Sequence, residues 1–345
     1  LTAVADEVGG FSLSFSNVEA GAETYQKRGT DLPDETIQTC EKADAVLLAA
    51  CGLPGVRYPD GREIVPQITL REIFGLYAGV RPVKMIPGVP GPLSDPRAKT
   101  LDFVLIREST EGLFAGRGKT VIENDETARD MMEITRTTSE RLFDFTFALA
   151  RKRKEQGKPG IVTCVDKANV LGSLAFFRKV FDERAALNPD LDARHGYVDA
   201  VSMTFVRNPW IYDVLVTENM FGDILSDIGA GLMGGLGFAP SADIGEKQAV
   251  FQPCHGTAPD IAGKGLANPT AMVLSAAMML EWLGEKHDVV SASTGGALLE
   301  QAVVDAYEIG GLSPTEIGGA DGTDAIIRAI AAQISNPETK RRAAA

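Results

Sequence analysis

Residues 253–269 read P-C-H-G-T-A-P-D-I-A-G-K-G-L-A-N-P. Three glycines, Gly256, Gly263 and Gly265, are interleaved there with His255, Asp260 and Asn268. Glycine lets a chain turn tightly and come close to a ligand, and a carboxylate such as Asp260 can accept both hydroxyl hydrogens of an adenosine ribose. A loop that only had to turn would need the glycines alone, so this one reads as a nucleotide-binding loop. Asn268 and Pro269 suit the N-cap and first position of a helix. The apolar run 271–280 that follows is too short to span a bilayer and reads as a buried helix.

Outward from this loop, apolar runs at 45–50, 103–106, 160–165 and 212–217 each end in a turn signal near helix-like periodicity. That cadence predicts an α/β fold with a largely parallel sheet. The proline- and glycine-rich stretch 81–96 reads as a connection without an element of its own. Residues 229–234, G-A-G-L-M-G, match the G-x-G-x-x-G dinucleotide fingerprint, but helical spacing at 221–228 precedes them where a strand is required. The fold is therefore expected not to be of the Rossmann type.

At 345 residues, with 44% hydrophobic and 23% charged residues, the chain has the composition of a large folded unit or two domains. A formal charge of −13 argues against nucleic acid or an anionic membrane surface as partner. The cysteines Cys40, Cys51, Cys164 and Cys254 form no close pair and fit free thiols in a reducing compartment. With no secretion signal visible, the cytoplasm is the expected location.

Candidate chemistry gathers behind two of the predicted strands. Asp223 and Asp227, in N-M-F-G-D-I-L-S-D, stand four apart on a helix that opens at a strand's carboxyl end, where α/β sheets place ligands. Such carboxylates share one face and repel each other unless a proton or cation intervenes, and oxygen ligands suit Mg²⁺ or Mn²⁺. Lys167, in V-D-K-A-N-V, follows the strand 160–165. A lysine near a metal and other cations loses proton affinity and can serve as a base near neutral pH. Arg71, Arg81 and Arg107 can bind carboxylates as planar forks.

Together these elements resemble the isocitrate/isopropylmalate dehydrogenase family of metal-dependent β-decarboxylating dehydrogenases, through H-G-[ST]-A-P-D-I-x-G-K-x-x-A-N-P, N-x-F-G-D-I-L-S-D, D-K-A-N-V, L-R-x9-R-P and V-R-E-x-T-x-G. The resemblance runs from about residue 18 past residue 319. It implies an isopropylmalate dehydrogenase-like two-domain α/β fold. Residues 1–77 and 234–345 would form a discontinuous cofactor-binding domain, and 78–233 a substrate, metal and dimerisation domain. NAD would lie on His255, Gly256, Thr257, Ala258, Asp260, Asn268 and Asn169. Mg²⁺ or Mn²⁺ would lie on Asp223, Asp227 and Asp199, the last in the V-D-A run. Arg71, Arg81 and Arg107 would clamp the malate part of a hydroxy-dicarboxylate or tricarboxylate substrate, and Lys167 would assist loss of its hydroxyl proton. Lys167 and Asp199 come from the neighbouring subunit in that family, which implies a homodimer with shared active sites.

The departures from the family are specific. Phe114 stands seven residues after Arg107, where the family has a tyrosine whose hydroxyl protonates the enol left by decarboxylation; phenylalanine has no proton to give. Gln252 replaces the usual glutamate before P-x-H-G. The family's opening strand and glycine turn, G-D-G-I-G-P, do not occur in the sequence. Gln67 stands where isopropylmalate enzymes place leucine, and an unpaired amide against an alkyl group would cost about 1–3 kcal/mol, so a polar substituent is expected on the substrate. The expected activity is NAD- and metal-dependent oxidation, with decarboxylation, of an acid of the isocitrate, tartrate/D-malate or 3-isopropylmalate class. Phe114 also allows a rival, a non-catalytic or regulatory paralogue that binds substrate and nucleotide with weak turnover.

Overall fold

The computed structural model describes residues 1–344. Ten strands occur in chain order: β1 Val46–Leu47, β2 Ala78–Lys84, β3 Asp102–Glu108, β4 Val121–Glu123, β5 Thr127–Arg129, β6 Ile161–Asp166, β7 Asp192–Tyr197, β8 Val214–Thr217, β9 Pro240–Ile244 and β10 Ala249–Pro253. Eight of them form one sheet in the order β1-β10-β9-β2-β3-β8-β6-β7, and β4 with β5 makes a separate hairpin. The β3-β8-β6-β7 half is parallel throughout, as is β1 with β10, while β10, β9, β2 and β3 pair antiparallel in turn.

The parallel half explains itself from its side chains. β3 and β8 are buried along almost their whole length, as expected of strands covered on both faces. Alternate residues of β3 feed different cores. Phe103 and Leu105 pack with Val201, Phe205 and Leu225 from the helices Val198–Arg207 and Asn219–Leu232. Val104 and Ile106 pack with Phe143, Phe147, Phe177 and Phe181 from the helices Arg136–Glu155 and Gly172–Ala185. This is the predicted α/β architecture with helices on both faces of the sheet. Gly229 and Gly231 lie inside the helix Asn219–Leu232, so the glycine fingerprint there is not a strand-to-helix turn. Gly229 serves packing instead: a Cβ on it would sit 2.6 Å from Val83.

Three expectations need correction. The stretch 81–96 is not wholly a connection, because its first four residues complete β2. Pro82 is tolerated there since β9 pairs with β2 only at Ala78–Val80, leaving one flank of the strand open where an N–H is missing. The strand expected over 45–50 shrinks to Val46–Leu47, an edge strand held by β10 alone. The helix after the nucleotide-type loop is Thr270–Lys286, with Pro269 as its N-cap. Asn268 sits one position earlier, yet its Oδ1 still accepts from Thr270 N at 3.1 Å. Among the described residues no helix is long and apolar enough to cross a membrane.

Candidate active site

A cleft of about 630 Å³ opens beside the carboxyl ends of β3 and β8. The segment 49–54, the lead into the helix Pro66–Phe74, the helix Asn219–Leu232 and residues 252–259 form its walls. Of the residues singled out in the sequence, Gln67, Arg71, Arg81, Arg107, Phe114, Asp223, Asp227, His255, Gly256, Thr257 and Ala258 line it. Lys167, Asn169, Asp199, Asp260 and Asn268 do not.

Local sequence places these side chains. Pro66 starts the helix Pro66–Phe74 and Gly75 ends it in a left-handed turn, its N–H bonding to the carbonyl of Arg71. Glu218 caps the helix Asn219–Leu232, accepting from Met220 N at 3.0 Å and Phe221 N at 2.7 Å. Gly222 lets that helix lie against Arg107, whose Cγ would be 2.6 Å from any Cβ there. Ala258 adopts a positive φ of 43°, a conformation costly for a residue with a side chain and concentrated at ligand-binding loops.

The arginines are buried and mutually organised. Arg107 donates from Nε and Nη2 to Asn219 Oδ1 at 2.9 and 2.8 Å and from Nη1 to Asp223. Burial and the neighbouring Arg71 charge lower Arg107 to about 10, so it remains cationic at neutral pH. Arg71 Nε and Arg81 Nη2 each donate to Asp243 at 3.0 Å. Burial alone would raise Asp243, but Arg71, Arg81 and Arg107 override it and hold the carboxyl at about 2. Asp227 moves the other way, raised by burial and then by the charge of Asp223. The Phe114 ring lies 5.2 Å from the Arg107 guanidinium, a cation–π contact at the edge of the cleft.

Outside the cleft, Lys167 Nζ donates to Asp199 at 2.6 Å, and that bond lowers the exposed Asp199 carboxyl. Asp166 shapes the lysine turn by accepting from Ala168 N at 2.8 Å and from both forks of Arg178 at 2.7 Å. Asp260 lies exposed in the turn beyond Ala258. Asn268 is buried and donates to Glu316 at 3.1 Å. Among the described residues, no three His, Cys, Asp or Glu side chains converge as a metal-ligand group. Asn219, which accepts from Arg107, opens the N-M-F-G-D-I-L-S-D motif, whereas Asp243, which holds Arg71 and Arg81, carries no local motif and is revealed only by its partners in the fold.

Buried guanidinium forks facing paired carboxylates, with a glycine loop alongside, define an enzyme cleft for a small anionic substrate. The isocitrate/isopropylmalate dehydrogenase family profile matches residues 1–330, and the chain belongs to this family of dehydrogenases. A 3-isopropylmalate/3-methylmalate dehydrogenase of Methanocaldococcus jannaschii is 41% identical over 329 residues, covering 95% of this chain and 92% of that protein. The homoisocitrate dehydrogenase of the same organism is 40% identical, with 91% and 90% covered. The crystal structure of isocitrate dehydrogenase from Methylococcus capsulatus superposes with a TM-score of 0.84 at 35% identity, covering 97% of this chain and 94% of that one. The protein is thus an enzyme, a hydroxy-acid dehydrogenase by family.

Proposed function

We propose that the chain is an NAD-dependent, divalent-metal-dependent dehydrogenase of a malate-type 2-hydroxy acid, working as a cytoplasmic homodimer with shared active sites. The observation that carries this reading is the convergence of Arg71, Arg81, Arg107, Asp223, Asp227 and residues 255–258 on one cleft. The acids named for the relatives share a malate core, which carries the two carboxylates that guanidinium forks recognise. All four cysteines are free, in keeping with a reducing compartment.

Asp223 and Asp227 fit a hard divalent cation, because their mutual repulsion is relieved by positive charge between them. A bound Mg²⁺ or Mn²⁺ would polarise the substrate hydroxyl and the oxygen of the keto product. The third carboxylate is Asp199 of a second copy, whose Lys167 accompanies it and takes the hydroxyl proton. Two features favour that arrangement: the Lys167–Asp199 pair lies outside its own chain's cleft, and Met203, Val206, Met220 and Ile224 are exposed on the helices Val198–Arg207 and Asn219–Leu232. Residues 1–77 and 234–345 act as the cofactor unit and 78–233 as the substrate and metal unit, on one continuous sheet joined where β2 meets β9. Residues 255–258 would hold NAD, which would accept the hydride when bound, and Asp260, Asn268 and Asn169 are the further residues assigned to it, Asp260 to its ribose. Gln67 lines the cleft, where it would face the variable substituent of the acid and favour a polar one. Weak turnover by a regulatory paralogue is the second reading, favoured by Phe114 alone.

The test is NADH formation with Mn²⁺ over D-malate, tartrate, isocitrate and 3-isopropylmalate. At least one acid is expected to reduce NAD and to require the metal. Failure of every acid in a dimeric, folded preparation would overturn the catalytic reading.

A further inference from the structure

Asp243 belongs to none of the sequence motifs, yet its carboxylate is buried, 1% exposed, directly against the cleft arginines Arg71 and Arg81. It sits in a row across the sheet, opposite Gly79 of β2, which in turn faces Arg107 of β3. Gly79 makes room for it: a Cβ there would lie 3.2 Å from Asp243 Oδ1. Both carboxylate oxygens are engaged, Oδ1 by Arg81 and Oδ2 by Arg71 and by Gln252 Nε2, each at 3.0 Å.

The consequence is a clamp in which both Nη groups of Arg81 and of Arg107 are already engaged by the protein. Arg81 Nη1 donates to the Val80 and Ala242 carbonyls at 3.1 and 3.0 Å. Arg107 has Nε and Nη2 on Asn219 and Nη1 on Asp223. Arg71 alone keeps both Nη groups uncommitted while its Nε is pinned by Asp243. The cleft therefore presents one free planar fork, and one of its three guanidinium charges is cancelled by a fixed internal carboxylate.

We propose that Asp243 is a specificity-determining positioning residue: by neutralising and orienting Arg71 and Arg81 it makes the cleft favour a dicarboxylate over a tricarboxylate. It acts through the arginines and does not touch the substrate. The proposal rests on the 2-hydroxy-acid reading of the cleft. Gln252, whose amide reaches Asp243, is the position from which the charge can be changed independently.

The experiment compares D-malate with isocitrate in the native protein, Asp243→Asn, Gln252→Glu and the double variant Asp243→Asn/Gln252→Glu. Asp243→Asn removes the internal anion and should raise the isocitrate-to-D-malate ratio of kcat/KM by about tenfold, mainly through KM, as expected for one unit charge at partly screened range. Gln252→Glu adds an anion and should lower the ratio, and the double variant should return it towards native. A ratio that ignores the sign of the charge change, or moves through kcat alone, overturns the proposal. Should Asp243→Asn fail to fold, Gln252→Glu still decides, since an unchanged ratio there refutes it. Calorimetric binding of the two acids to each form is measured in parallel. If no acid is turned over, the catalytic reading fails, while the binding ratio still upholds or overturns the role of Asp243.

Discussion

Replacing Phe114 with tyrosine should raise the rate of product completion by at least about tenfold, because it adds a proton donor where the ring borders the reacting region. General acids supply about 10²–10⁴ in rate, and the lower figure allows for water already doing part of the work. Phe114 lines the cleft on the short turn Leu113–Gly116 and is only partly buried, so an added hydroxyl can keep a water partner. The ring's contact with Arg107 at 5.2 Å is compatible with either side chain. A cation at that range also lowers the proton affinity of a phenol, which makes it a better donor. The fold should change by no more than about 0.5 kcal/mol, since the substitution leaves the buried framework untouched. NADH and CO₂ are followed together on the acid that the panel identifies. In the native protein CO₂ release should lag behind NADH, and in Phe114→Tyr the lag should shrink. Coupled rates in the native protein with no gain in the variant would show that another group protonates the enol.

Mixing two inactive variants, Lys167→Ala and Asp223→Asn, should restore activity, because in a mixed dimer one cleft receives Lys167 and Asp223 from different intact chains; no recovery after verified chain exchange would place both in one subunit's site. Asp223→Asn alone should weaken Mn²⁺ binding by calorimetry and abolish NADH formation with the fold intact, and full activity without added metal would refute the ligand assignment. NAD should be preferred to NADP, since the Asp260 carboxylate would repel a 2′-phosphate; comparable kcat/KM for the two would count against it, and Asp260→Ala should narrow the gap. Glu108 gives a pH test of stability: burial, outweighing donors from Thr110 and Glu111, raises its carboxyl from 4.5 to about 7. The native state then binds more protons than the unfolded chain, so this group's contribution is full below pH 4.5 and is lost as pH rises to about 7, by about 3 kcal/mol. Glu108→Gln should be less stable throughout, as its amide meets N–H donors, but its urea midpoint should fall less over that range than the native midpoint.

How much the sequence discloses depends on whether the physical signal is local. The strand at 103–106, the buried helix after Pro269 and the Asp223/Asp227 pair are legible because burial or spacing writes itself into neighbouring residues. The edge strand β7 is not, since D-A-R-H-G-Y is exposed and polar along most of its length. β2 hides behind Pro82, which a central strand would exclude and a half-paired one accepts. Asp243 is a harder case: a lone aspartate reads as a surface charge until the fold brings it to Arg71, 172 residues away in sequence.

The residues that fail to reach the cleft are informative in the same terms. Lys167 and Asp199 lie 32 residues apart, and the chain brings them to each other but not to Asp223 and Asp227. An exposed ion pair of this kind contributes little to stability, so folding of the single chain gives no strong reason to hold it there. The exposed apolar residues Met203 and Val206, on the same helix as Asp199, likewise gain nothing from this chain alone. In the homodimer proposed above both features would acquire a physical purpose: burying the apolar face would supply association energy, and breaking the Lys167–Asp199 pair would cost little. The mixed-dimer experiment therefore tests the assembly and the catalytic assignment at once, because in the proposed dimer the contact that would bury Met203 is the one that would deliver Lys167.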